Sequence, residues 1–470
     1  MLIVKFGGTS EQDGPALQGA AAIVRDRLAE RPIVVVSALA GVTTQLLELA
    51  RHAARGRSMQ AMLAVGLLRD RHIAVARALA GGAAMTERVL RDIDSTCDHI
   101  ASLAEALAVL KHVTAQGYDT VGAYGELMAM RLMVLALVDA GVAAVSVDPR
   151  HVVITDAMFG RAAPDTAAIR TAARAMLTPL VAQGVVPVIG GYVGATPEGM
   201  TTTLGRGGSD YSAILLGAAL DADLIEIWTD VDGMMTADPR LVPTARRIDA
   251  VGFDEAAELA AFGAKVLHPS TIAPAAERGI PVGIFNSRSP EGPGTRITER
   301  GPAWSATAVA GRCGVVVVKV TAAGMLHATG FLERLFAVFA RHGVAVDVVT
   351  TSEVSVSATV DAEAFAGAAV ALRELASFGD VHVIESCAIV AVVGSMLRRH
   401  VGVIGRAVAA LDGLAVHMLS LSATGTNVTV VVDEADMVTV IRRLHAAVFD
   451  GDATAGPGDD DCGLASAPPW

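Results

Sequence analysis

Residues 201–212 read TTTLGRGGSDYS, and from Tyr211 the run YSAILLGAAL keeps its apolar residues at helical spacing. Gly205, Gly207 and Gly208 surround one arginine, Arg206, and Ser209 and Asp210 follow at once. The pattern predicts a glycine turn entering a helix N-terminus. Such a turn lets the backbone approach a ligand closely, and the free N–H groups of a first helical turn favour an anion. Arg206 adds a fork of donors suited to a carboxylate or phosphate. The plain alternative is a tight loop in which Ser209 or Asp210 only caps the helix. Its neighbours along the chain bear on the choice.

Upstream lies VVPVIGGYVG (185–194), and downstream DLIEIWTDVDGMMTADPR (223–240). LIVKF (2–6) precedes Gly7-Gly8-Thr9-Ser10, and PIVVVSALA (32–40) precedes Gly41-Val42-Thr43-Thr44. Continuous β-branched runs, without polar alternation, are expected of parallel strands buried on both faces. The first turn is not a P-loop, because GxxxxGK[ST] is absent and the lysine comes before the glycines. Lys5 sits at a strand's carboxyl end, where open α/β sheets place ligands; otherwise it is an ordinary edge lysine. Residues 45–140 read as mostly helical. Within them Glu126 opens a helix in VGAYGELMAMRLMVLAL, where it either compensates the helix dipole or holds an ammonium group. After LIEIW come Thr229, Asp230, Asp232, Asp238 and Arg240. These aspartates are turn formers, or they serve a nucleotide and its metal. FDEAAELAAFGAKVLHPSTIAPAAERG (253–279) reads as helix, glycine loop with Lys265, and helix. IPVGIFNSR (280–288) closes the first domain, and SPEGPGTRITERGPAWSA (289–306) is a boundary segment.

Length and composition set limits. A chain of 470 residues exceeds one core and is expected to hold two to four domains. With 52% hydrophobic and 18% charged residues it can bury large cores. No uninterrupted apolar stretch of membrane-spanning length and no signal peptide are expected. Cys97, Cys313, Cys387 and Cys462 are scattered without CxxC spacing, which fits reduced cytosolic thiols and argues against a zinc site or disulfide framework. A net charge of −12 with 4% aromatic residues argues against nucleic-acid binding.

The C-terminal part repeats itself. HGVAVDVVTTSEVSVSATVD aligns with DGLAVHMLSLSATGTNVTVVVD, placing Gly343 over Gly413, an offset of 413 − 343 = 70 residues. Each copy follows a helix (FLERLFAVFAR, IGRAVAALDG) and a valine-rich strand (VVVVKV, AIVAVV), so each reads as a βαββαβ-like unit, and the two are expected to pair side by side. The last twenty residues are low in complexity, and disorder is expected there.

KFGGTS (5–10), SALAGVTT (37–44), the GEL of GAYGELMAM, TTTLGRGGSD (201–210), WTDVDGMMTADPR and FGAKVLHPST, in that order and spacing, resemble the aspartate kinases over nearly the whole chain. GMLHATGFL and VDVVTTSEVSVS are similar to the regulatory segments of the single-function, lysine-sensitive class. The resemblance implies an α/β fold: an amino-acid-kinase three-layer sandwich with a mostly parallel sheet over 1–290. A linker (291–312) and two ferredoxin-like ACT repeats (313–385 and 386–450) follow, before a disordered tail (451–470). It implies transfer of the ATP γ-phosphoryl group to the side chain of L-aspartate, the first step towards lysine, threonine and methionine. Lys5, Arg206 and Asp210 take catalytic roles by that resemblance. Thr43, Glu126, Arg206, Gly207, Gly208 and Ser209 meet the substrate. Lys5, Phe6, Gly7, Gly8, Thr229, Asp230, Met235, Arg240, Lys265 and Val266 meet ATP, with Mg²⁺ on its phosphates and no protein ligand named. Free lysine is placed at Met325, His327, Gly330, Phe331, Leu332, Val346 and Asp347. A homodimer or homotetramer through the ACT domains is implied. Met235 stands where relatives often carry tyrosine, and Ala328 and Ala345 where lysine-sensitive relatives often carry serine. Two rival readings are another amino-acid kinase of the same fold, acting on glutamate, acetylglutamate or a nucleotide, and a catalytically silent amino-acid sensor.

Overall fold

The computed structural model describes residues 1–79, 82–263, 269–325, 329–365 and 369–450. Lys265, Val266, His327 and the stretch 451–470 lie outside the described residues. Contacts divide the chain into two compact units: Met1–Met234 with Leu267–Glu299, and Met235–Val266 with the chain from Arg300 onward.

The first unit is built on β1 (Leu2–Phe6), β2 (Pro32–Val36), β3 (Ala144–Val147), β4 (Val186–Gly190) and β7 (Leu224–Thr229). A short hairpin, β5 (Val193–Ala195) with β6 (Thr201–Thr203), lies between β4 and β7 in sequence. After β8 (Ala250–Gly252), which belongs to the second unit, β9 (Val282–Asn286) and β10 (Thr295–Thr298) return to the first. The sheet runs β3-β4-β2-β1-β7-β9-β10, parallel except for β10. All five residues of β1, β2 and β4 are buried, which explains their unbroken β-branched composition. Helices cover both faces. Leu2, Val4, Phe6, Val34 and Val36 share a core with the helices Gly14–Arg25, Val42–Ala54, Ser58–Ala78, Ala83–Leu110 and Tyr124–Asp139. On the other face Gly217, in the helix Gly208–Leu220, lies so close that an added Cβ would sit 2.5 Å from Ile225. The run Ala115–Asp139 does reach membrane-spanning length and hydropathy, in contrast to the sequence expectation, yet 83% of its most apolar window is buried inside the protein. It is a core element of the sandwich.

The second unit holds β11 (Ala308–Thr321), β12 (Val346–Thr351), β13 (Ser355–Asp361), β14 (Asp380–Val393), β15 (Val416–Leu421) and β16 (Asn427–Asp433) in one antiparallel sheet, ordered β12-β13-β11-β14-β16-β15. The two repeats therefore do lie side by side. They also share strands. Val315–Thr321 of β11 pairs with β13 in the first repeat, while Ala308–Arg312 pairs with the part of β14 that also pairs with β16. The second repeat's sheet thus borrows residues that the sequence reading assigned to the linker. A bulge between Arg312 and Val315, with Gly314 at φ +74°, separates the two roles.

The units also depart from a boundary at residue 290. Ala237 and Val242 are buried in one core with Val390, Leu397, Val430 and Leu444 of the second repeat. Thr236 Oγ1 lies 3.0 Å from His445 Nε2, and its carbonyl accepts the Val309 N–H at 2.8 Å. Glu255 is buried and accepts the Ser395 N–H at 2.9 Å, the Gly252 N–H at 3.3 Å and the Thr307 hydroxyl; burial pushes its carboxyl up.

Candidate active site

Because β1, β2, β4 and β7 are parallel, the loops that follow them gather at one edge of the sheet. Lys5 pairs in register with Val35 on one side and Ile227 on the other, one residue before β1 ends. It is only 7% exposed, and its Nζ lies 2.5 Å from Asp210 Oδ1. Asp210 stands in the first turn of the helix Gly208–Leu220, which Gly207 opens at φ +70° after Gly205 at φ +79°. A side chain at either glycine would strain this turn.

The remaining loops meet with no room for a Cβ. One on Gly8 would sit 2.7 Å from the Ala38 carbonyl, and one on Gly125 would sit 2.8 Å from the Ala38 side chain. One on Gly191 would reach 2.7 Å from Ser209 Cα, and one on Gly208 would reach 2.7 Å from Tyr192. The Gly7 N–H bonds the Trp228 carbonyl at 3.0 Å, and the Ala40 N–H bonds the Gly8 carbonyl at 3.1 Å. The structure therefore brings Lys5, Gly7, Gly8, the loop leading to Thr43, Glu126, Gly207, Gly208, Ser209 and Asp210 into one cluster.

Glu126 resolves its own ambiguity. It is 3% exposed, its Oε1 accepts the Ala38 N–H at 3.3 Å, and its Oε2 is buried without a partner. Burial raises its pKa to about 8. An exposed carboxylate would suffice to compensate a helix dipole. A buried one with an orphan oxygen is costly until a cation or donor arrives. Arg206, by contrast, is exposed at the tip of its turn and ion-pairs with none of the described residues.

Thr229 and Asp230 end β7 at the same sheet edge, with Thr229 Oγ1 3.4 Å from Asp230 Oδ1. Met235 and Arg240 belong to the second unit, where the Arg240 guanidinium is bound to Asp238 at 2.6 Å. Lys265 and Val266 lie outside the described residues. In the first repeat Gly330, at φ +77°, opens the helix Phe331–Arg341 as expected. Phe331 is a core residue, packed edge-on against Phe378, so its side chain is not open to a ligand; Leu332 is exposed. Met325 and Val346 are partly buried against the same core. Asp347 is neither vacant nor merely solvated: Arg312 Nη2 holds it at 2.5 Å.

Sequence reasoning missed several residues of the cluster. Glu11 is fully buried, accepts the Ser37 N–H at 2.9 Å, and leaves Oε1 unpartnered; burial pushes its carboxyl well above the usual range. Ser10 Oγ lies 2.6 Å from Ser287 Oγ. Asp119 accepts from the Gly160 N–H at 2.8 Å, the Thr203 N–H at 3.0 Å and the Thr203 hydroxyl at 2.7 Å, pinning the hairpin before the glycine turn. A charged residue directly behind a glycine turn was the available signal for Glu11. Asp119 carries none, being one polar residue in a helix.

Residues 1–286 match the amino acid kinase family, and residues 318–375 and 390–448 match the ACT domain. The chain is 37% identical to the lysine-sensitive aspartokinase 3 of Escherichia coli, over 96% of this chain and 99% of that protein. It is 31% identical to the chloroplastic aspartokinase 3 of Arabidopsis thaliana, over 96% and 82%. Among solved structures it resembles E. coli aspartokinase III in complex with aspartate and ADP, the R-state, with a TM-score of 0.86 at 36% identity, covering 96% of this chain and 100% of that one. The same enzyme in complex with lysine and aspartate, the T-state, gives 0.77 at 36% identity, covering 96% and 99%.

Proposed function

The chain belongs to the aspartokinases, and on that premise we propose that it passes the γ-phosphoryl group of ATP to the side-chain carboxylate of L-aspartate, giving 4-phospho-L-aspartate. The acceptor has an unperturbed pKa of about 3.9, so at neutral pH it is already a nucleophile and needs no general base. What the protein supplies is alignment and charge neutralisation. The Lys5 ammonium, oriented by Asp210, meets the negative charge that spreads over the transferring group. The turn Gly7–Gly8 offers the phosphates the Gly8 N–H, the Gly7 N–H being taken by the Trp228 carbonyl, with Thr229 and Asp230 on the nucleotide side. Arg206 takes the α-carboxylate of aspartate and Glu126 its α-ammonium, while Thr43 and Ser209 line the pocket. Mg²⁺ neutralises charge on the phosphate oxygens when bound; the few hard oxygen donors here suit a metal that arrives on ATP, and Asp210 is the side chain that would hold it.

The observation that carries this reading is the buried, unpartnered Oε2 of Glu126, because an α-ammonium group is the donor it lacks. It also favours a free amino acid over an N-acylated one. The test is ATP turnover with the acyl phosphate trapped by hydroxylamine, using aspartate, glutamate and N-acetyl-aspartate. Turnover is expected with aspartate alone. Equal kcat/KM for the N-acetylated compound would defeat the assignment of Glu126.

Lysine is the proposed feedback inhibitor, bound in the first repeat. Support comes from the Gly330 turn, whose helix offers free N–H groups to a carboxylate, and from Asp347, whose carboxylate can take the α-ammonium. The lysine-sensitive E. coli relative points the same way. Pairing of the repeats between subunits, as a homodimer or homotetramer, would let the effector favour one of two packings. Titrating lysine against activity and direct binding tests this; no binding at any concentration that inhibits a lysine-sensitive relative removes the effector.

A further inference from the structure

The turn after Lys5 and the loop leading to Thr43 are sewn together at several points. The Ala40 N–H bonds the Gly8 carbonyl at 3.1 Å, and the Ser37 hydroxyl bonds the Phe6 carbonyl at 3.1 Å. From the far side comes a residue of the helix Ser58–Ala78, an element that supplies nothing else to the site. Arg71 Nη1 donates to the Ala40 carbonyl at 2.8 Å, and Nη2 reaches the Gln12 carbonyl at 3.5 Å. Arg71 is partly buried and ion-pairs with none of the described residues, so its fork of donors is directed at backbone oxygens alone. The same helix is seated closely on the start of the helix Gly14–Arg25 that follows the first loop, since a Cβ on Gly14 would lie 2.8 Å from that of Ala78.

We propose that Arg71 is a positioning residue for phosphoryl transfer: by bridging the carbonyls of Ala40 and Gln12 it fixes the distance between the loop that grips the phosphates and the loop that lines the aspartate pocket. This rests on the reading of the first unit as the aspartokinase site. Donor and acceptor sit on different loops, so neither binding step depends on the bridge, whereas the in-line approach of the two does. A lysine cannot replace the arginine fully, because a point charge on a single stem does not span two carbonyls as a planar fork does.

The experiment compares Arg71→Met, Arg71→Lys and the wild type by steady-state kinetics in both substrates, with thermal melting alongside. The expected result for Arg71→Met is a kcat lowered about 10- to 100-fold, the scale of a small misplacement, with both KM values within about threefold of wild type. Added guanidinium ion at millimolar concentration should restore part of that kcat, and should leave the wild type unchanged. Arg71→Lys should fall between the two without rescue. If Arg71→Met does not fold, Arg71→Lys carries the test alone, with a lowered kcat at unchanged melting temperature expected. A kcat within twofold of wild type in the folded variants overturns the proposal. So does a kcat loss that merely tracks a lower melting temperature and resists guanidinium. Absence of aspartate-dependent turnover in the wild type overturns the underlying reading as well, so the two failures are distinguishable.

Discussion

Lys5–Asp210 in the first unit and Arg312–Asp347 in the second are ion pairs of the same 2.5 Å length, each anchored at or near the end of a strand. They differ in solvent. The side chains of the first pair are 8% and 17% exposed, those of the second 25% and 37%. Removing one member of a buried pair strands the other charge in a poor dielectric, whereas water and salt replace a partner at the surface at little cost. The first pair is therefore fixed machinery, and the second is exchangeable: on the proposed lysine site, Arg312 holds the carboxylate for which an effector's ammonium would compete. The two repeats sharpen the point. The position equivalent to Asp347 in the second repeat is His417, bound at 2.8 Å to Asp433, so the corresponding strand residue is acidic in the first repeat and a histidine in the second.

The largest effects are expected at the buried pair. Lys5→Ala should lower kcat about 10²- to 10³-fold, the scale for loss of one donor aimed at developing charge, with the circular-dichroism spectrum unchanged. A folded variant with near wild-type kcat would remove Lys5 from the chemistry. Glu126→Gln should raise the KM for aspartate about 10- to 100-fold, as one charge-assisted hydrogen bond of about 1.5–3 kcal/mol is lost.

Glu126 also gives the buried site a pH signature. Its folded pKa lies near 8, against 4.5 for an ordinary glutamate. The unfolded chain thus releases this proton first as pH rises. The group's contribution to stability is complete below about 4.5 and is lost as pH climbs through about 8. Ligand-free enzyme should accordingly melt at lower temperature across that window, and Glu126→Gln should flatten part of the slope. Aspartate binding at pH 7 should release a proton from Glu126, read by calorimetry in buffers of different ionisation enthalpy. Equal proton release by wild type and Glu126→Gln would contradict it.

The smallest effects belong to the exposed pair. Arg312→Ala should change stability by less than about 1 kcal/mol and lower the lysine concentration for half-inhibition by about fivefold or less, because a competing cation is removed. Asp347→Ala should weaken the lysine response. A loss of stability in Arg312→Ala as large as that expected of a buried pair would erase the distinction drawn above.

The sequence exposed most of the frame, for physical reasons. Strands buried on both faces are apolar but for a functional residue such as Lys5, so LIVKF and PIVVV announced themselves, and glycines marked the points where two loops meet without a Cβ between them. The repeat at an offset of 70 residues revealed the paired units. What stayed hidden acts through space. Arg71 grips carbonyls 31 and 59 residues away, and any arginine in a long helical region looks solvated. The burial of Glu11 arises only once the fold closes over it, and its place behind the glycine turn was the single hint. Ala308–Arg312 looked like linker, since a borrowed strand gains its partner only once both repeats have formed.

The burial of Ala237 and Val242 among residues of the second repeat bears on how such chains can be recombined. A crossover drawn through the Pro/Gly-rich stretch near residue 290 would not fall between two modules. It would leave Met235–Gly263 behind with a foreign regulatory half and split one hydrophobic core between two parents. Chimaeras that exchange regulation between relatives need three coordinated breakpoints, at Met235, Leu267 and Arg300, so that the inserted stretch and the repeats travel together.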